Sequence, residues 1–213
     1  MLQKFNLKSL AVFGLMVAAG SSSAGLTFSP TNKNQTVAQS RPQVVATSTV
    51  ICGLAKEIAG NTIDLKCLVD AGSDPHVYQP KPDDRKAIEQ AKLIFYSGYD
   101  FEPSLIRLIK ASSNKVPKVA VGEAAVPKAL EIEEDGKKVS DPHIWHDAKN
   151  GMAMAKVINT QLGKVLPNQA SVYNAKTQQI TSNLTKLDTW IKSEVATIPA
   201  KGRKLVTTHD AFN

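Results

Sequence analysis

The spacing of apolar residues changes repeatedly along the chain, and each change predicts an element. QVVATSTV (43–50) is short and β-branched, the pattern of a strand. In ICGLAKEIAG (51–60) apolar residues at 51, 54, 55 and 58 share one helical face, and Gly60 supplies a stop. TIDLKCLVD (62–70) predicts a second strand, followed by the loop AGSDPHVYQPKP (71–82). Pro82, with Asp83 and Asp84 in the first turn, opens a helix through PDDRKAIEQA (82–91). KLIFYSG (92–98) is a third strand ended by Gly98, FEPSLIRLIKASS (101–113) a helix, and KVPKVAVG (115–122) holds a fourth strand. Strands alternating with helices imply a mainly parallel sheet covered on both faces, an α/β fold. Ligands of such sheets bind at the carboxyl ends of the strands.

The pattern then changes scale. EAAVPKALEIEEDGKKVS (123–140) is a charged loop with room for a small hairpin. A helix follows over AKNGMAMAKVINTQLGKVL (148–166), with Asp147 as its N-cap and Pro167 as its stop. The next stretch, 168–198, lacks Gly and Pro, and Ile180, Leu184, Leu187, Ile191 and Ile198 keep helical spacing. Such a helix reads as a strut from one lobe towards another. PAKGRK breaks it, KLVTT (204–208) predicts a new strand, and HDAFN begins the loop after that strand. The expected organisation is a lobe over 43–166, a connecting helix over 167–199, and at 200–213 the start of a second lobe that is largely missing.

Composition adds the compartment. MLQKFNLKSL carries Lys4 and Lys8 and no acid; an apolar run too short to span a bilayer follows, then small residues at Ser22 and Ala24. Residues 1–24 are read as a secretory signal peptide and 25–42, rich in Ser, Thr, Asn, Gln and Pro, as a flexible linker. No cysteine follows the apolar run, so no lipoprotein cysteine is expected, and the protein is expected to be periplasmic or otherwise extracytoplasmic. In an exported chain the even pair Cys52 and Cys67 points to a disulfide, with two buried free thiols as the alternative. The net charge of +7 comes from basic residues scattered over the chain, with Arg only at 41, 85, 107 and 203. Without a basic block or interleaved aromatics, no nucleic acid is expected as partner.

The chain has four histidines. DPHVY (74–78) and DPHIW (141–145) share one local design: Asp-Pro-His, a β-branched residue, then a large aromatic. Proline fixes its own backbone and restricts the residue before it, so each histidine stands on a stiff support. A ligand needs this, because its imidazole must be held to within about half an ångström. His209 directly follows the apolar run in VTTHDAF. His76, His143 and His209 thus occupy expected strand-to-helix loops, and three convergent imidazoles would form most of a transition-metal site. Tyr78, Trp145 and Phe212 read as packing residues. Asp74, Asp141 and Asp210 could orient imidazoles or cap turns. His146 has Gln79 as its counterpart in the first segment, and reads as an exposed or supporting residue. Other chemistry is poorly served: no His-Glu-x-x-His, no Cys-x-x-Cys and no Gly-rich phosphate loop occurs, and SGYDFEPS (97–104) offers no nucleophile constellation. An extracytoplasmic zinc metallohydrolase would need a general base, and no acid stands out for it.

SDPHVYQPKPDD, SDPHIWHD and VTTHDAFN resemble the metal-site segments of the TroA-like solute-binding proteins of manganese and zinc ABC transporters. The resemblance implies two α/β lobes joined by one long rigid helix, with the metal between them and no catalysis. It implies that His76 and His143 are the first lobe's ligands, that His209 is the third, and that a carboxylate late in the second lobe is the fourth. A monomer delivering its ion to a membrane permease follows from the same likeness. Three imidazoles favour zinc. The loop EIEEDGKKVS, which lacks the histidines common in zinc-dedicated members, tips the balance slightly to manganese. A truncated, non-functional remnant is the other alternative.

Overall fold

The computed structural model describes residues 40–213 apart from 135, 208, 210 and 213. The expected signal peptide, the linker up to residue 39 and Asp210 lie outside the described residues.

Four strands form one parallel sheet: β1 (Gln43–Ala46), β2 (Asp64–Cys67), β3 (Leu93–Tyr96) and β4 (Lys118–Ala120), in the order β2-β1-β3-β4. Val45 pairs with Lys66 on one side and with Ile94 on the other, all in parallel register. The chain leaves β1 to build the sheet first on one side and then, from β3, on the other. That reversal puts a topological switch at the carboxyl ends of β1 and β3.

Alternation along β1 divides the core. Val44 and Ala46 face one side with Leu93 and Phe95; Val45 faces the other with Ile94. The first side is covered by α1 (Thr49–Ala59), α5 (Ala148–Val165) and α6 (Ala170–Thr197), through Ile51, Ala55, Ile58, Met154, Ile158, Leu162 and Tyr173. The second is covered by α2 (Pro82–Gln90) and α3 (Pro103–Ala111), through Ile88, Leu105 and Ile109. Each helix buries one apolar stripe, as its sequence period requires. Pro82 and Pro103 stand in the first turns of α2 and α3, where a missing N–H costs nothing. Asp147 caps α5, accepting from the Lys149 amide.

Two small elements complete the lobe. α4 (Val121–Ala125), which periodicity does not reveal because it is one turn long, follows β4 directly. The charged loop does form a hairpin, β5 (Glu131–Glu134) with β6 (Lys137–Ser140), antiparallel. Cys52 of α1 and Cys67 of β2 are joined, their Cα atoms 5.8 Å apart, tying the edge strand to the helix beside it.

α6 has 28 residues and is roughly 42 Å long at the usual rise per residue. Only its first half packs: Tyr173, Thr177 and Ile180 are buried, and the Tyr173 hydroxyl bonds with that of Thr62 at 2.5 Å. Beyond Leu184 the apolar stripe continues in the open, with Leu187, Trp190, Ile191 and Ile198 all exposed.

One expected element is corrected. No strand forms over Lys204–Thr207, and Leu205 and Val206 are exposed. A β-branched run becomes a strand only beside a partner, and neither sheet of the described residues pairs with it.

Candidate metal centre

The two Asp-Pro-His segments fold alike over their first three residues. Each precedes or enters a single 3₁₀ turn, Pro75–Val77 in the first case and Ile144–His146 in the second. In each, the aspartate Oδ1 accepts the backbone N–H of the histidine two residues on: Asp74 from His76 at 2.9 Å, Asp141 from His143 at 2.9 Å. This side-chain turn and the proline between the partners fix the Cα–Cβ direction of each imidazole.

Beyond that the segments differ. Asp141 is buried, and its Oδ1 also lies 2.8 Å from His143 Nδ1. A carboxylate can only accept, so Nδ1 carries the proton and His143 Nε2 presents its lone pair. His143 is itself buried, His76 half-buried and His209 exposed.

The three side chains converge. His143 Nε2 lies 3.2 Å from His76 Nε2 and 3.1 Å from His209 Nε2, and the three ligand atoms are all within 4.8 Å of one another. Nitrogens bound at about 2.0–2.1 Å to one ion stand roughly 3.0–3.4 Å apart, so these separations suit ligation of a common cation. Hydrogen bonding accounts for them less well, because both neighbours would have to donate into the one lone pair of His143 Nε2. The His76 segment follows β2 and precedes α2, at the carboxyl end of the sheet's strands.

An aromatic wall backs the cluster. Phe101 sets its ring edgewise against His76 (centroids 4.9 Å apart), His143 (5.7 Å) and Trp145 (4.9 Å). Sequence reasoning missed Phe101, because its segment carries no ligand type. The turn that delivers it is unusual: Gly98, Tyr99 and Asp100 all have positive φ, at 86°, 52° and 55°. At Gly98 a Cβ would come within 2.7 Å of the Glu123 side chain, whose carboxylate accepts the Tyr99 amide at 2.9 Å. Behind the turn, Glu102 is 1% exposed, and its Oε1 accepts from Thr47 Oγ1 (2.5 Å) and the Ser97 amide (2.6 Å). Burial pushes its carboxyl up from the ordinary value, against those hydrogen bonds.

The aromatic residues have distinct duties. Tyr78 is buried, donating to Asp84 Oδ2 at 2.9 Å; burial first, then that bond, pushes its phenol up to about 12. Trp145 packs against both Phe101 and His143. Phe212 is exposed and stacks on His146, with ring centroids 4.3 Å apart. His146 belongs to no ligand cluster among the described residues; burial, then the nearby His143, lowers its pKa. Three acids of the described residues are engaged: Asp141 holds His143, Asp74 caps the His76 turn, and Glu102 lies behind Thr47 and Ser97. None of them is poised as a general base.

Comparison with known proteins identifies the family. Residues 44–213 fit the family described as zinc-uptake complex component A, periplasmic (ZnuA), and the chain belongs to that family. It is 38% identical over 178 residues to the manganese ABC transporter substrate-binding lipoprotein PsaA of Streptococcus mitis, covering 80% of this chain and 57% of that protein. It is 32% identical over 199 residues to the manganese-binding lipoprotein MntA of Bacillus subtilis, covering 93% and 65%. Among solved structures, the periplasmic zinc binding protein TroA of Treponema pallidum superposes with a TM-score of 0.75 at 33% identity, over 81% of this chain and 61% of that one. Fe(III)-bound YtgA of Chlamydia trachomatis gives 0.71 at 29%, over 80% and 60%. The chain therefore spans about three fifths of the length of these relatives.

Proposed function

We propose that this chain is the extracytoplasmic metal-capturing component of an ABC importer, and that His76, His143 and His209 bind the transported ion through their Nε2 atoms. The observation that carries the reading is the meeting of three Nε2 atoms at 3.1–3.2 Å around a His143 whose Nδ1 proton is committed to Asp141. Such a set holds a divalent transition ion and leaves at least one position of a four-coordinate ion to water or a further donor. The ion is cargo: the centre binds and releases it, and among the described residues Asp74, Asp141 and Glu102 are committed to structural contacts rather than to activating water. Manganese or zinc is the expected cargo, in keeping with the family and with the relatives' names.

In this reading residues 1–24 direct export, 25–42 tether the lobe, 43–166 form it, 167–199 connect it and 200–213 begin a second lobe whose third imidazole is His209. The protein works as a monomer, without nucleic acid, and hands its ion to the membrane permease. The relatives PsaA and MntA are named as lipoproteins. The cysteines of this chain, Cys52 and Cys67, are joined to each other within the lobe. Calorimetric titration with manganese and with zinc tests the proposal. One ion per chain, with binding lost in His143→Ala, is the expected result. No heat with either metal at micromolar protein would favour the reading of a non-functional remnant instead.

A further inference from the structure

His209 poses a mechanical problem. It must meet two histidines seated on stiff turns, yet it stands in a segment, 203–212, with no helix or strand among its described residues. Two anchors follow it in the chain. Ala211 is buried, and its amide donates to the His209 carbonyl at 3.0 Å; that carbonyl also accepts from Thr207 Oγ1 at 2.8 Å. Beyond Ala211, Phe212 lays its ring on His146 at 4.3 Å and 37°. His146 lies on the same 3₁₀ turn as Trp145, against which it also packs at 5.2 Å. A cavity of about 480 Å³ separates this end of the segment from the lobe, lined by His143, His146, Asn150, Ala211 and Phe212 among others. The aromatic contact thus bridges a gap rather than forming part of a filled core.

We infer that His146 is a positioning residue: its stack with Phe212 pins the 203–212 segment to the Asp-Pro-His turn and so holds His209 Nε2 at the metal centre. This rests on the three-histidine reading above, and deepens it. The Ile144–His146 turn then does two jobs. It follows the buried ligand His143 directly, and it anchors the segment that carries the exposed ligand His209, so both are referenced to one rigid support. The role belongs to the ring face of His146, and any flat aromatic side chain can fill it.

The test is calorimetric titration of the full chain with zinc chloride and with manganese chloride, together with melting of the metal-free protein. His146→Ala and Phe212→Ala should each weaken binding about 2- to 10-fold, the range of one aromatic contact. The double variant should be no weaker than either single one. His146→Phe should restore affinity to near the native value, and metal-free melting should be unchanged in all, because both side chains are exposed. Native affinity in both alanine variants, alongside lost binding in His143→Ala, would overturn the clamp and leave the metal centre standing. His146→Phe binding as weakly as His146→Ala would make His146 a ligand and also overturn it. Undiminished binding in His143→Ala would instead refute the three-histidine reading itself.

Discussion

One oxygen of Asp141 holds His143 twice, at 2.9 Å through the backbone amide and at 2.8 Å through the ring Nδ1. Asp74 makes the backbone contact with His76 at the same distance. The duplicated motif therefore supplies two rigid histidines, and the buried one has its tautomer fixed by its own aspartate. Carboxylates behind ligating histidines usually matter about 10–100-fold in metal affinity. Asp141→Ala is expected to weaken zinc binding by that order, measured by calorimetry. Asp74→Ala, which removes the cap of an exposed turn, is expected to have a smaller effect. Equal effects would mean that the ring contact to Asp141 adds nothing.

Ligating imidazoles must be neutral, so binding competes with protons and releases them. Affinity should therefore fall progressively as the solution is acidified below about pH 6. Titrations at pH 5.5, 6.5 and 7.5 measure this. An affinity independent of pH across that range would point to oxygen donors instead.

Glu102 is expected to limit stability. Its carboxyl titrates above the ordinary value in the fold because burial disfavours the charge. The folded state thus binds its proton more tightly than the unfolded state does. That term favours folding in acid, is lost as pH rises through the ordinary carboxyl value to the raised one, and is a full penalty above it. Glu102→Gln keeps an acceptor for Thr47 and Ser97 without the charge. It should melt higher than the native chain at pH 8, by about 2–4 °C for each kcal/mol relieved in a chain of this size. The two should converge near pH 4. A lower melting temperature for the variant at pH 8 would show that the ionised carboxylate is a net stabiliser.

The bond between Cys52 and Cys67 closes a short loop, with a sequence separation of 15. In the chain-entropy model such a closure contributes about 3 kcal/mol, by restricting the unfolded chain. Cys52→Ser/Cys67→Ser, or the reduced protein, should lose stability of that order in urea unfolding. Mass spectrometry of the exported protein should show two fewer hydrogens than the reduced form.

Much of this architecture is written locally. The strand and helix periods give β1 to β4, α1 to α3, α5 and the long α6, because each buries a face with its own repeat. The likeness of DPHVY to DPHIW marks His76 and His143 because a stiff backbone is a local property. What local pattern does not carry is partnership. His143 meets His76 and His209 across 67 and 66 residues, and only the rule that ligands gather at strand carboxyl ends suggests it. Phe101 was invisible, since its role depends on a left-handed turn and on rings from two other loops. Lys204–Thr207 has the composition of a strand, but a ladder needs a neighbour that composition cannot announce. Trp190 and Ile191 complete a helical stripe, yet the stripe outruns the lobe, and its period alone does not say where packing stops.

The central claim is that three imidazoles share one ion. X-ray absorption at the zinc edge on the zinc-loaded chain addresses it directly. The expected spectrum has about three imidazole nitrogens at about 2.0–2.1 Å from the metal, and His143→Ala should retain no zinc in such a site. A native spectrum dominated by oxygen, or one left unchanged by His143→Ala, would contradict the account.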